Sequence, residues 1–241
     1  YTGPTSRVAR RMAATLPQGE EKVRAVRAMF DAIAPRYDLV NRVMTFGLDV
    51  LWRRRAVRAL DLPPGAPVLD VACGTGDLCR DLSAAGYRPV GVDLAFGMLR
   101  HAHTGAPLVE GDAARLPLAD AAVDGAVSGF ALRNFVALAP VFDELARVVR
   151  PGGRIALLEV AAPPGFYFNR VVPRIGGLLS DPGAYRYLPR SVAYLPPPAE
   201  ITQLLEGAGF GQVRRISLSA GVAQLFVATR VVTTAAERAG A

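Results

Sequence analysis

The chain is poor in the residues that build disulfides and metal sites, with two cysteines and two histidines among 241 residues. Cys73 and Cys79 stand six apart, which is neither a disulfide framework nor a C-x-x-C ligand pair. They read as small space-filling residues in a reducing cytoplasm. His101 and His103 are two apart and leave a helix on different faces. No cysteine or acid cluster joins them, so no metal is expected. No apolar run reaches the length of about 18 residues that a transmembrane helix needs. The opening YTGPTSRVARRMAATL holds three arginines and no long apolar block, unlike a secretory signal. Lysine is nearly missing, since Lys22 alone stands among 28 basic residues.

What is present is apolar mass and an uneven charge. Hydrophobic residues make up 51% of the chain, enough for a sizeable core. Residues 1 to 60 carry twelve Lys or Arg against five acids, while the rest carries sixteen of each. The whole excess of +7 therefore sits in the N-terminal quarter. Such a placement points to an acidic partner surface, anionic lipid or nucleic acid; the alternative is arginine usage that follows genome composition.

The N-terminal 60 residues read as helices. EEKVRAVRAMFDAIAPRY sets Val23, Val26, Met29, Phe30 and Ile33 at helical spacing, with Pro35 to end it. DVLWRRRAVRALDL reads as a second helix, stopped by PPG at 63–65. Strands and helices then alternate: strands are expected at 67–72, 88–93, 107–112, 123–129 and 154–161, the last entered through a PGG turn. Helices are expected at 76–86, around Met98 and Leu99, and at 138–149. Repeated strand–helix units imply a parallel sheet covered on both faces, with ligands at the carboxyl ends of its strands. Residues 162–198, with eight prolines and six aromatics, read as a lid or substrate-binding insert. After a helix near AEITQLLEGAG come two strands, GQVRRISLSA and VAQLFVATR, too closely joined to be anything but antiparallel. The expected fold is thus α/β: a seven-stranded, mostly parallel Rossmann-like sheet with an antiparallel C-terminal hairpin, the class I methyltransferase arrangement. The expected divisions are an N-terminal helical cap (1–62), a core (63–230) containing the insert, and a tail (231–241).

LDVACGTGDL at 69–78 is a glycine loop with acid at both ends. A nicotinamide enzyme would show G-x-G-x-x-G and rest a pyrophosphate on the helix N-terminus. Here the third glycine position is Cys79, and Asp77 would repel a phosphate. S-adenosylmethionine removes the conflict, because it has no phosphate and carries a sulfonium and an ammonium. Asp70 is a candidate for its aminoacyl end, and Gly74, Thr75 and Gly76 for close backbone approach. Asp93 closes the second strand, where a carboxylate can accept both ribose hydroxyls. Asp112, followed by Ala113, ends the third strand within reach of an adenine amino group. Each acid alone fits a helix cap or a surface charge; three at consecutive strand ends fit a ligand better.

FDAIAPRYDLVNRVMTFGLDVLWRR (30–54), FALRN (130–134), RVVRPGGRIALLEV (147–160), AYRYLPRS (184–191) and SAGVAQLFVATR (219–230) together resemble the ubiquinone/menaquinone biosynthesis C-methyltransferases. The resemblance implies methyl transfer from S-adenosylmethionine to a ring carbon of a prenylated quinol such as a demethylmenaquinol. It also implies that Tyr37 lies over the methionine end and that Gly129 lies in the cofactor site. Four departures fall near the expected acceptor pocket. Gly129 stands for a usual serine, Ala131 for a glycine, FVAL follows LRN, and SVAYLPPP lacks a usual histidine. The alternatives are methylation of another aromatic or polyketide metabolite and, from a different class, a non-catalytic lipid- or nucleic-acid-binding protein.

A quinol carbon becomes nucleophilic when a neighbouring hydroxyl loses its proton, so the protein must hold both partners and stabilise an oxyanion. Arg133 and Asn134 are the candidates, Arg133 for electrostatic stabilisation because it stays protonated. Tyr185 is a candidate for binding the acceptor. A cytoplasmic protein is expected, reversibly attached to the anionic inner face of the membrane, with nucleic acid disfavoured as a partner.

Overall fold

The computed structural model describes residues 18–161 and 191–232. Tyr185, residues 162–190 of the insert and the first seventeen residues with their three arginines lie outside the described residues.

Helix α1 (Gly19–Ile33) buries Lys22, Ala25, Val26, Met29 and Ile33, a stripe at helical spacing. Glu20 and Glu21 lie in its first turn, where the helix dipole favours acid. The α-helix stops before Pro35, which sits in a single 3-10 turn, Ala34–Arg36. The chain then resumes as α2 (Tyr37–Met44), a helix that periodicity does not reveal because it buries only Val40 and Met44. Gly47, at φ 76°, turns it into α3 (Leu48–Leu60). No helix among the described residues is long and apolar enough to cross a membrane.

The remaining elements are β1 (Pro67–Val71), α4 (Asp77–Ala84), β2 (Arg88–Asp93), α5 (Phe96–Arg100), β3 (Leu108–Glu110), β4 (Val123–Gly129), α6 (Leu138–Val148), β5 (Val149–Val160), α7 (Pro198–Gly207), β6 (Phe210–Leu218) and β7 (Ala223–Arg230). The seven strands form one sheet in the order β3-β2-β1-β4-β5-β7-β6. β1 to β5 pair in parallel, and β7 runs antiparallel to both β5 and β6. This is the arrangement expected from the sequence.

Two strand limits differ from expectation, each for a local reason. β3 is only three residues long, as suits an edge strand that must not template further pairing. β5 begins at Val149 rather than 154, so the PGG run lies inside it. Its register against β4 jumps from Val123↔Val149 to Gly125↔Arg154, leaving Pro151 in a bulge where its missing N–H costs no ladder bond. Gly153 is required there, since a Cβ would sit 2.5 Å from the Asp124 carbonyl.

One face of the sheet packs on α6 and α7 through Phe142, Leu145, Ile201 and Leu205. The other packs on α3 and α4, where Trp52, Ala56, Val57 and Leu60 share one apolar cluster with Leu78 and Leu82. Helix α3 is therefore a layer of the core as well as part of the N-terminal helices. It is fixed by Arg53, a buried side chain whose guanidinium contacts Asp49 at 2.5 Å, Asp77 at 3.0 Å and Asp81 at 3.2 Å. Removing one partner of a buried ion pair strands the others without solvent. Arg53→Met should therefore lose about 3–5 kcal/mol of stability in urea denaturation. Arg53→Lys should recover only part of it, because one ammonium cannot span three carboxylates.

Candidate active site

Strand order reverses between β1 and β4, so the loops after these two strands diverge and open a crevice. A cavity of about 240 Å³ lies there. Ala72 and Phe130, the residues directly after β1 and β4, both line it and both adopt left-handed φ, 57° and 60°. Such backbone costs non-glycine residues on the order of 1 kcal/mol each and collects at functional sites.

Asp93 ties the first two loops together. Its Oδ2 accepts from the Gly74 amide at 2.8 Å, and its Oδ1 accepts from the Ala95 amide at 2.8 Å. Burial raises its pKa and the two amides oppose the rise. Asp112 caps its own turn by accepting from the Ala114 amide at 2.9 Å. Both carboxylates line the cavity, together with Tyr37, Gly74, Ala113, Gly129 and Asn134. The phenol of Tyr37 is raised above 10.0 by desolvation. Gly129 has a packing reason: a Cβ there would meet Leu78 Cδ1 at 2.9 Å, so the serine usual in resembling sequences would crowd helix α4.

The opposite wall is the N-terminal cap, through Val23, Val26, Arg27 and Phe30 of α1. Four polar links bind it to the chain at the carboxyl ends of β1 to β4. Thr75 Oγ1 donates to Asp38 at 2.5 Å, and the Gly97 amide donates to Asp31 at 2.7 Å. Arg27 pairs with Glu110, and Lys22 Nζ donates to the Phe135 carbonyl at 2.5 Å. The approach at Gly97 requires glycine, because a Cβ would lie 2.9 Å from the Asp31 Cα.

Other expected residues lie behind the loop, outside the cavity lining. Asp70 is fully buried; its Oδ2 accepts from Cys79 Sγ at 3.3 Å and its Oδ1 has no partner. Cys79 thus does more than fill space. Thr75 serves the cap, and Gly76, at φ 83°, leads into α4 with Thr104 packed where its Cβ would be. Asp77 is taken by Arg53 and Arg80.

Arg133 stands behind the loop after β4. Its guanidinium does not line the cavity but is buried against Glu159 of β5. It also donates to Ser191 Oγ at 3.1 Å and to the Phe130 carbonyl at 2.7 Å. A guanidinium held this way positions the loop after β4. Sequence reasoning missed two residues. Glu159 carries the signal that nominated Asp70 and Asp93, an acid near the end of an apolar strand. Lys22 carried a different signal, being the only lysine. It is buried, its ammonium lies 3.7 Å from the Tyr194 ring centroid, and burial lowers its pKa to about 8. Tyr194, which receives Lys22, belongs to the stretch that lacks the usual histidine, while Ser191, which receives Arg133, closes the matching AYRYLPRS block.

The cavity therefore offers carboxylates and an amide-lined glycine loop rather than a basic cradle. A dinucleotide pyrophosphate finds a poor fit, with Asp77 at the loop's end. A phosphate-free ligand carrying a sulfonium and an ammonium fits, and the orphaned oxygen of Asp70 lies behind the loop that would receive it.

A sequence profile described as the ubiE/COQ5 methyltransferase family matches residues 17–230. The Ubiquinone/menaquinone biosynthesis C-methyltransferase UbiE of Syntrophotalea carbinolica is 41% identical, covering 85% of this chain and 93% of that protein. The Demethylmenaquinone methyltransferase of Thermus thermophilus is 44% identical, covering 84% of this chain and 100% of that protein. In three dimensions the fold matches Haemonchus contortus Phosphoethanolamine N-methyltransferase 2, solved in complex with S-adenosyl-L-methionine. That match has a TM-score of 0.55 at 15% identity, over 71% of this chain and 50% of that one.

Burial raises Asp70 from 3.8 to about 8, so the folded protein keeps a proton there that the unfolded chain loses. Stability from this group is full below pH 4 and is lost as pH rises toward 8. Asp70→Asn removes that loss. Relative to the parent it should gain up to about 1.4 kcal/mol per pH unit between pH 5 and 7, measured by urea denaturation at each pH. Parallel pH profiles would mean that Asp70 is ionised in the fold.

Proposed function

The chain belongs to the ubiE/COQ5 methyltransferase family and uses S-adenosylmethionine, and from that premise we propose that it methylates a ring carbon of a prenylated quinol of the demethylmenaquinol type. The observation that carries the reading is the pair of carboxylates, Asp93 and Asp112, at successive strand ends on one cavity beside the Gly74 amide.

The cofactor supplies an electrophilic methyl group. Asp93 and Asp112 bind the hydroxyl and amino edges of its nucleoside, and Gly74 and Gly76 let the backbone come close. Thr75 keeps the cap in place, and Tyr37, Ala113 and Gly129 shape the walls. Asp70 serves the aminoacyl end through the loop that covers it. Asn134 offers an amide donor to the oxygen on which charge builds when the quinol hydroxyl is deprotonated, so that charge reaches the ring carbon. Arg133 acts as a positioning residue, holding Phe130 and Asn134 through Glu159 and Ser191. Helix α1 excludes water from the reacting centres. The insert 162–198, with Tyr185, is the acceptor-binding part of a core spanning 63–230 beneath the cap 1–62. A polyprenyl acceptor stays in the bilayer, so the protein works at the anionic inner face of the membrane through weak, reversible attachment.

The test is turnover of a short-tailed, water-soluble demethylated quinol by the purified protein, with mass spectrometry locating the new methyl. Methylation at oxygen, or none, would overturn the reading. Asp93→Ala should weaken S-adenosylmethionine binding by about 1.5–3 kcal/mol in calorimetry. Asn134→Ala should lower kcat and kcat/KM together while leaving cofactor affinity in place. Arg133→Ala should chiefly lower stability, by stranding Glu159.

A further inference from the structure

One surface of the cap takes no part in the cavity. From Ala34 to Leu60, every exposed side chain is apolar or arginine. The two acids of the stretch are engaged inward, Asp38 on Thr75 and Asp49 on Arg53. Leu39 and Val43 stand one turn apart on the outer face of α2, and Leu51 begins the outer stripe of α3. Arg54, Arg55 and Arg58 continue that stripe at helical spacing. Phe46, in the turn between the helices, is 76% exposed, against 59% for Leu39 and 57% for Leu51. It also holds φ 52°, a left-handed backbone that a bulky residue adopts at a cost.

We propose that this α2–α3 hairpin is the surface by which the protein docks on an anionic bilayer, with Phe46, Leu39 and Leu51 entering the headgroup region. The arginines of the same face then meet lipid phosphates. Apolar residues on a short helical hairpin edged mainly by cations are the composition of an interfacial anchor. A nucleic-acid surface has use for the arginines but none for three exposed hydrophobic side chains. Self-association through this face would oppose arginine to arginine over most of its length, since Asp61 at the end of α3 is the one exposed acid beside it. The placement suits the chemistry, because Tyr37 at the start of α2 lines the cavity and Asp38 bonds the glycine loop. A hairpin laid on the bilayer therefore brings the cavity beside the headgroups. The inference rests on the proposed bilayer-dwelling acceptor and names the surface that reaches it.

The test uses the full chain with phosphatidylcholine vesicles made with and without phosphatidylglycerol. Phe46→Trp introduces a fluorophore beside the single native tryptophan, Trp52, which is buried. Its emission should shift to the blue and be quenched by bromine-labelled lipid with anionic vesicles only. Phe46→Ser combined with Leu51→Ser should reduce vesicle partitioning about tenfold or more, as should raising salt until the Debye length falls from about 10 Å to about 3 Å. Turnover of the water-soluble acceptor should be unchanged in both variants. Full partitioning by the double variant would overturn the proposal, and so would a dimer that dissociates when Phe46 is replaced. Capture of duplex DNA in place of vesicles would overturn it too. Intact vesicle binding without any turnover would defeat the methyl-transfer reading alone. Turnover without vesicle binding would defeat this one alone.

Discussion

A buried guanidinium with three carboxylates around it holds the N-terminal helices to the cofactor loop. Arg53 reaches Asp49 on its own helix and Asp77 and Asp81 on the helix that starts where the loop ends. This accounts for the acid at the far end of the glycine loop. Asp77 is the loop's anchor, in the first turn of α4 where the dipole favours it. The acid at the near end, Asp70, is withdrawn beneath the loop in a dry setting that favours its neutral form. A phosphate ligand would face Asp77 at the helix N-terminus that normally receives it.

From that anchor the cavity is assembled by backbone donors more than by side-chain reach. Asp93 accepts one amide from each of two loops and so sets their separation. The chain at the carboxyl end of each strand from β1 to β4 then takes a polar contact from the cap, with different chemistry at each: hydroxyl to carboxylate, amide to carboxylate, ion pair, and ammonium to carbonyl. Behind the fourth loop, Arg133 and Glu159 form a second buried pair. The two pairs frame the cavity from opposite sides of the switch point.

The sheet was legible because its signals are local. Apolar runs bounded by glycine and acid mark β1, β2 and β4, and the short turn before β7 dictates an antiparallel partner. The bulge in β5 was not legible, since PGG reads as a turn until a neighbouring strand keeps pairing on both sides of it. Helix α2 was missed because eight residues with two buried positions give no period to detect. For the site, Asp93 and Asp112 were readable from their place at strand ends. For Arg133, sequence shows that a cation follows β4 but not that Glu159, 26 positions on, lies within reach of it. Long-range pairing of charges is the information that a linear reading lacks.

Lys22 offers one further consequence. In a chain whose other 27 basic side chains are arginine, it is the single ε-amine. It is stowed between α1, the Phe135 carbonyl and the Tyr194 ring. Burial slows amine acylation at that side chain, so the reaction needs its contacts with the Phe135 carbonyl and the Tyr194 ring to open. The rate at which one lysine is acylated, with and without ligand, therefore reports the opening of those contacts without any label being engineered in.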